Sequence, residues 1–326
     1  MIKLTLDLDA IKIKRVIFVA CGTSWHAGLI GREYIERYVG IPSQCEYASE
    51  FRYGSRVLDK SDLVVFISQS GETADTLAAL REAKKKNAKV IGIVNVVGST
   101  IARESTSGMY LHAGPEIGVA STKAFACQVT SLLLLALWFQ QERNGSSDQS
   151  ILNELLSLPE LVEETLTSAK CIEKIASSFK KYNNALFLGR GLQYPVALEG
   201  ALKLKEVSYI HAEGYPAAEM KHGAIALIDK SMPSVVLALR DTTYGKICSN
   251  IQEIHARKGQ LIIVTDDIEG DAVEHAKDVI VVPRAGECIM PVLASIPLQL
   301  LAYYVAAQKG LDVDKPRNLA KSVTVE

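Results

Sequence analysis

The chain has 326 residues, 48% of them hydrophobic and 22% charged, with a formal net charge of −1. That length accommodates two α/β domains of ordinary size, and the balanced charge gives no electrostatic case for nucleic acid or an anionic membrane as partner. The longest apolar run, 129–139, is shorter than a bilayer span and contains Thr130 and Ser131, so it reads as a buried helix and no membrane partner is expected. Residues 1–7 lack the continuous apolar core of a signal peptide, and the six scattered cysteines show neither a C-x-x-C pair nor zinc spacing. Both point to reduced thiols in a cytoplasm.

In chain order, the apolar run 16–20 reads as a strand ending in Cys21-Gly22-Thr23-Ser24, and a helix-like segment follows to about Tyr38. A second apolar strand, 63–67, ends in Ser68-Gln69-Ser70-Gly71-Glu72-Thr73. The next helix, 74–85, carries Leu77, Leu80 and Ala83 at helical spacing. A third strand covers 89–94. The Gly-rich turn 114–123 leads into a helix over 124–139, with Ser121 or Thr122 suited to its N-cap. Residues 144–150 read as a linker and 151–182 as an amphipathic helical stretch.

The pattern then repeats. Strand 185–188 ends in Gly189-Arg190-Gly191, a helix covers 195–209, and strands cover 234–239 and 260–264. A loop at 219–223, an apolar stretch at 298–307 and a polar tail from Pro316 complete the chain. Apolar strands alternating with helices give the fold class: α/β, two tandem domains, each a parallel sheet flanked by helices on both faces. The expected domains are 1–145, with the serine-rich loop, and 146–326, with the second helix set and the C-terminal tail.

The Ser68–Thr73 stretch is a strand, a short polar loop and a helix N-terminus, the usual arrangement for holding an anion on unpaired helix amides. Three hydroxyls and an amide can close on further oxygens. No lysine follows the glycine, so this is not the nucleotide P-loop. A phosphate monoester such as a sugar phosphate suits it better than a triphosphate with magnesium. Plain helix capping by the same residues is the competing reading. The second half has Leu239-Arg240-Asp241-Thr242-Thr243 at the matching place, so one phosphate site per chain is expected. The Gly189–Gly191 turn offers a weak dinucleotide fingerprint, but Tyr194 stands where the third glycine belongs, which favours a structural tight turn over it.

Glu199, Lys203 and Glu206 recur at i, i+4 and i+7, within ~60° of one another around a helix. They form either an ordinary solvated Glu–Lys pair or, beside a ligand crevice, a base for a carbon acid with a lysine to steady developing charge. His222 lies in a loop with Lys221 and Gly223 and suits proton transfer near neutral pH. The other histidines form no ligand set, so no metal is expected.

The tandem repeat and its Ser-Gln-Ser-Gly-Glu-Thr loop resemble the sugar isomerase (SIS) fold. Cys21 to Ser24, Ser68 to Thr73, Glu116 to Lys123, Ala197 to Glu206 and Pro316 to Glu326 resemble the isomerase half of the glutamine–fructose-6-phosphate aminotransferases. The resemblance spans the chain in order. It implies that Ser68, Gln69, Ser70 and Thr73 hold the phosphate of fructose 6-phosphate, and that Cys21, Gly22, Thr23, Ser24, Val119, Ala120 and Ser121 line the sugar. It further implies that Lys321 forms a Schiff base at C2, that ammonia displaces the lysine, and that Glu206 moves a proton between C1 and C2. His222 would come from a neighbouring subunit of a homodimer to open the furanose ring with Lys203, and Glu199 would stand beside this set.

The implied product is glucosamine 6-phosphate, or glucose 6-phosphate without ammonia, and no cofactor is implied. The glutaminase domain of full-length synthases is not in these 326 residues. Ala218 and Ala224 depart from the glycine and proline expected in the histidine loop, which bears on ring opening. A stand-alone SIS sugar-phosphate deaminase or deglycase is the nearest alternative, and a non-catalytic sugar-phosphate sensor the more distant one.

Overall fold

The computed structural model describes residues 2–324; Met1 and the last two residues of the closing motif, Val325 and Glu326, lie outside the described residues. The chain forms two units. Unit 1 is Met1–Ile117, Lys123–Leu152 and Ala320–Glu326, and unit 2 is Gly118–Thr122 and Asn153–Leu319. This differs from a simple division at 145. The C-terminal tail belongs to unit 1 because its polar groups are used there: the Ala74 amide donates to the Val323 carbonyl at 3.0 Å. Residues 118–122 belong to unit 2, where the Val119 amide donates to the Asp314 carbonyl at 2.9 Å.

Unit 1 contains β1 (Arg15–Ala20), α1 (Gly22–Val39), β2 (Ser43–Tyr47), α2 (Ala48–Tyr53), β3 (Asp62–Ser68), α3 (Ala74–Lys85), β4 (Lys89–Val94), α4 (Thr100–Glu104), β5 (Ser107–Tyr110) and α5 (Lys123–Asn144). The sheet order is β2-β1-β3-β4-β5, and its strand pairs are parallel. Every residue of β3 is buried, as a central strand covered on both faces requires. One face packs Val64 and Phe66 with Phe51, Ala79 and Leu80. Burying each of the larger side chains, Val64, Phe66, Phe51 and Leu80, contributes about 1.5–3 kcal/mol.

Helix α6 (Gln149–Leu166) follows, and unit 2 continues with α7 (Ala169–Phe179), β6 (Asn184–Gly189), α8 (Gln193–Ser208), β7 (His211–Pro216), β8 (Pro233–Leu237), α9 (Tyr244–His255), β9 (Gln260–Thr265), β10 (Asp278–Val281) and α10 (Met290–Gln308). Its sheet order is β10-β9-β8-β6-β7, again with parallel pairs. Helix α10 packs directly on α8, and Gly200 permits it: a Cβ there would lie 2.5 Å from Leu298 Cδ1 and 2.9 Å from Phe187 Cδ1. Helices α5 and α10 are long and apolar enough to cross a membrane by composition, but both are mostly buried and serve as core helices.

Candidate functional site

In unit 1, the strand order places β1 beside β3, so the loops that leave their carboxyl ends flank the point where the chain turns to opposite sides of the sheet. That crevice is the usual ligand position in an open parallel sheet. The first loop begins at Cys21, whose thiol lies 3.7 Å from Thr76 Oγ1. Burial raises the thiol pKa, with the Thr76 contact opposing it, so Cys21 offers a neutral thiol rather than a thiolate. Thr23 is half-buried, and Ser24 is buried with its hydroxyl accepting from Gln128 Nε2 at 2.8 Å.

The second loop is the serine-rich one. Ser68 Oγ lies 3.1 Å from Thr73 Oγ1 and accepts the Gly71 amide at 3.0 Å. Ser70 Oγ accepts the Glu72 amide at 3.2 Å. Gln69 is half-buried. Gly71 has φ +68°, and a Cβ on it would stand 2.0 Å from Ser99 Oγ, so both backbone conformation and space demand glycine. Glu72 Oε1 accepts the Thr100 amide at 2.7 Å and so caps α4. The result is a ring of hydroxyls fixed at the N-terminus of α3. In the matching loop of unit 2, Asp241 Oδ1 accepts both the Thr243 amide and its hydroxyl at 2.7 Å. That loop supplies its own anion.

The C-terminal tail completes the unit 1 group. Ser322 Oγ lies 3.1 Å from Ser70 Oγ across 252 residues of sequence. The preceding residue, Lys321, places Nζ 2.7 Å from Glu116 Oε2, with side-chain exposures of 26% and 5%. The other Glu116 oxygen accepts the Ala124 amide at 3.1 Å, in the first turn of α5. A carboxylate eight residues ahead of the amide it holds has no short-range sequence signature. Two cavities open in unit 1: one of about 490 Å³ along β2, away from the serine-rich loop, and one of about 470 Å³ at its edge, lined by Glu72 of the loop, Ala74, Arg81 and Thr324 of the tail.

In unit 2, α8 carries the predicted trio. Lys203 Nζ lies 3.4 Å from Glu199 Oε1 and 2.6 Å from Glu206 Oε2, with side-chain exposures of 3%, 1% and 21%. These are not a solvated surface pair. Burial alone would lower the Lys203 pKa, but the Glu199 and Glu206 carboxylates outweigh it and hold the value above that of an ordinary lysine. Lys203 is therefore a fixed cation, and Glu206 is the member of the trio with an open side. His222 is exposed at the end of a 3₁₀ turn, Ala217–His222, where a plain loop was expected. Val119, Ala120 and Ser121 are half-buried in the segment that unit 2 claims. Among the described residues, no group of three or more His, Cys, Asp or Glu is placed to hold a metal ion.

Comparison with known proteins agrees with this architecture. The model of the SIS domain family matches residues 11–138 and 178–309. The chain belongs to the SIS family. Within it, the chain is 57% identical over 322 residues to the glutamine–fructose-6-phosphate aminotransferase [isomerizing] of Chlorobaculum tepidum, covering 98% of this chain and 52% of that protein. The Aquifex aeolicus protein of the same name is 54% identical over 327 residues, covering 99% and 54%. The chain thus spans about half the length of the curated relatives it matches.

Among solved structures, the C-terminal domain of glucosamine-fructose-6-phosphate aminotransferase from Francisella tularensis superposes with a TM-score of 0.89 at 45% identity, covering 94% of this chain and 87% of that one. This SIS chain is of the same type as that domain. A glucosamine-6-phosphate deaminase from Thermotoga maritima superposes at 0.78 with 26% identity, covering 95% and 90%.

Proposed function

We propose that this SIS chain is the isomerase portion of a fructose-6-phosphate aminotransferase. It would bind fructose 6-phosphate and convert it to glucosamine 6-phosphate with ammonia, or to glucose 6-phosphate without it. The observation that carries this reading is the tail: Ser322 Oγ meets Ser70 Oγ of the hydroxyl ring, so the segment that carries Lys321 runs against the candidate phosphate cradle. A loop that holds one end of a sugar phosphate and an amine beside it suit imine formation at a ketose carbonyl.

The roles then follow from each group's chemistry. Ser68, Gln69, Ser70 and Thr73 hold the phosphate through hydroxyls, an amide side chain and the amides of α3, at about 1.5–3 kcal/mol per charge-assisted bond. Lys321 is the nucleophile; Lys203, held charged by two carboxylates, is not. Glu206 is the base that moves a proton between C1 and C2, with Lys203 and Glu199 fixing its position. Cys21, Gly22, Thr23, Ser24, Val119, Ala120 and Ser121 are assigned to the sugar. His222 is assigned to ring opening from a second copy in a homodimer, for which its exposure is suited. The glutaminase partner domain and a cytoplasmic location belong to the same reading.

The test is product formation from fructose 6-phosphate by the purified chain with and without ammonium, comparing wild type with Lys321→Ala. Loss of both products in the variant, with sugar phosphate still bound, is the expected result. Binding without any product from wild type would leave a sensor and refute the catalytic assignments. The likeness to a glucosamine-6-phosphate deaminase favours a second reading, hydrolytic release of ammonia from glucosamine 6-phosphate. Ammonia release from that sugar, with no amination of fructose 6-phosphate, would select it.

A further inference from the structure

We infer that Glu116 is the proton acceptor for Lys321 and returns that proton to the departing water, a catalytic role that acts directly on the reacting nitrogen. The inference rests on the reading of Lys321 as the imine-forming lysine. A lysine at neutral pH is an ammonium ion and cannot attack a carbonyl until it loses a proton. Glu116 Oε2 is 2.7 Å from Nζ, within proton-transfer reach. Its side chain is 5% exposed, so bulk water does not stand in for it, whereas the lysine is 26% exposed and open to an incoming sugar.

The carboxylate is also fixed in place. Glu116 Oε1 accepts the Ala124 amide at 3.1 Å in the first turn of α5, a 22-residue helix. With that oxygen held, the second is kept aimed at Nζ. Glu116 and Lys321 are 205 residues apart in sequence, and both belong to unit 1.

The step balances without any further reactant. The ammonium of Lys321 gives one proton to Glu116, leaving a neutral amine and a carboxylic acid. The nitrogen lone pair forms a bond to C2 while the carbonyl π pair moves to oxygen. A second nitrogen proton passes to that oxygen, giving a neutral carbinolamine. The Glu116 acid then protonates the hydroxyl, the C–O bond breaks with release of water, and the nitrogen lone pair forms the C=N bond. The nitrogen carries +1 at the start, as ammonium, and at the end, as iminium; Glu116 is a carboxylate at both points, so the net charge of the set is zero throughout.

The test is reductive trapping of the imine with fructose 6-phosphate and sodium cyanoborohydride, read as the mass of the Lys321 peptide over time. Glu116→Gln keeps an acceptor for the Ala124 amide but cannot carry the proton. Trapping should slow by about 10²–10⁴-fold, the range of general acid–base contributions, with fructose 6-phosphate affinity unchanged by calorimetry. Glu116→Ala should recover rate on addition of formate, a response that a merely structural role would not give. Trapping by Glu116→Gln at the wild-type rate, or no formate response in Glu116→Ala, overturns the role of Glu116 while the Lys321 reading stands. No adduct at Lys321 in wild type overturns both.

Discussion

Gly71→Ala offers a sharp test of how the hydroxyl ring is built. The residue has φ +68°, a conformation that costs an L-residue about 1–2 kcal/mol. Its new methyl would also lie 2.0 Å from Ser99 Oγ and 2.5 Å from Ser99 Cβ. Rotating the Ser99 hydroxyl relieves only the first contact. Ser99 is 3% exposed and its carbonyl accepts the Arg103 amide at 3.0 Å, so relief needs backbone movement. Overpacking of this kind costs about 1–3 kcal/mol, which brings the total to about 2–5 kcal/mol.

Both tryptophans, Trp25 and Trp138, lie in unit 1, so urea unfolding followed by tryptophan fluorescence reads the unit that holds Gly71. Phosphate or fructose 6-phosphate affinity should fall in parallel, because the Gly71 amide fixes Ser68 Oγ. Adding Ser99→Gly should recover the steric share and leave the conformational one, about 1–2 kcal/mol. A Gly71→Ala midpoint indistinguishable from wild type would refute the reasoning.

Two further outcomes follow from buried titratable groups. Lys203→Met leaves Glu199 and Glu206 uncompensated in a buried setting, which should cost about 3–5 kcal/mol, measured by urea unfolding with far-UV circular dichroism; adding Glu199→Gln should recover part of it. Because the folded Lys203 pKa is raised above 10.5, its contribution is fully present below that value and is lost as pH rises through the folded value. The wild-type advantage over Lys203→Met should therefore hold through neutral pH and shrink only in strong alkali; shrinkage near neutrality would contradict the assignment. Cys288 donates to Glu154 Oε2 at 3.0 Å, and burial, then that carboxylate, pushes its pKa up to about 12. Iodoacetamide in mild alkali should label the exposed Cys171 and spare Cys288 until the chain unfolds; peptide mass spectrometry showing equal rates would refute this.

The sequence by itself determined the centres of both sheets. Strands β1, β3 and β4, and β6, β8 and β9, are the apolar runs read from hydrophobicity, because burial on both faces leaves no room for polar alternation. The strands that were not read, β2, β5, β7 and β10, are the four sheet edges. These edges carry polar residues such as Gln44, Glu46, Ser107 and Glu213, which break the apolar run. The phosphate-type loop was legible for the same local reason, since strand, glycine turn and helix start are adjacent in sequence.

Only the tertiary structure decided the rest. Helical spacing put Glu199, Lys203 and Glu206 on one face, but a helix apolar on its other sides does not say whether that face meets water; burial made the trio a fixed charge cluster. The contact of Lys321 with Glu116 spans 205 residues, and the hydrogen bonds that join the tail to unit 1 form only after the chain has folded back. Local chemistry is written in neighbouring residues, whereas which distant carboxylate meets an amine depends on the path of the whole backbone.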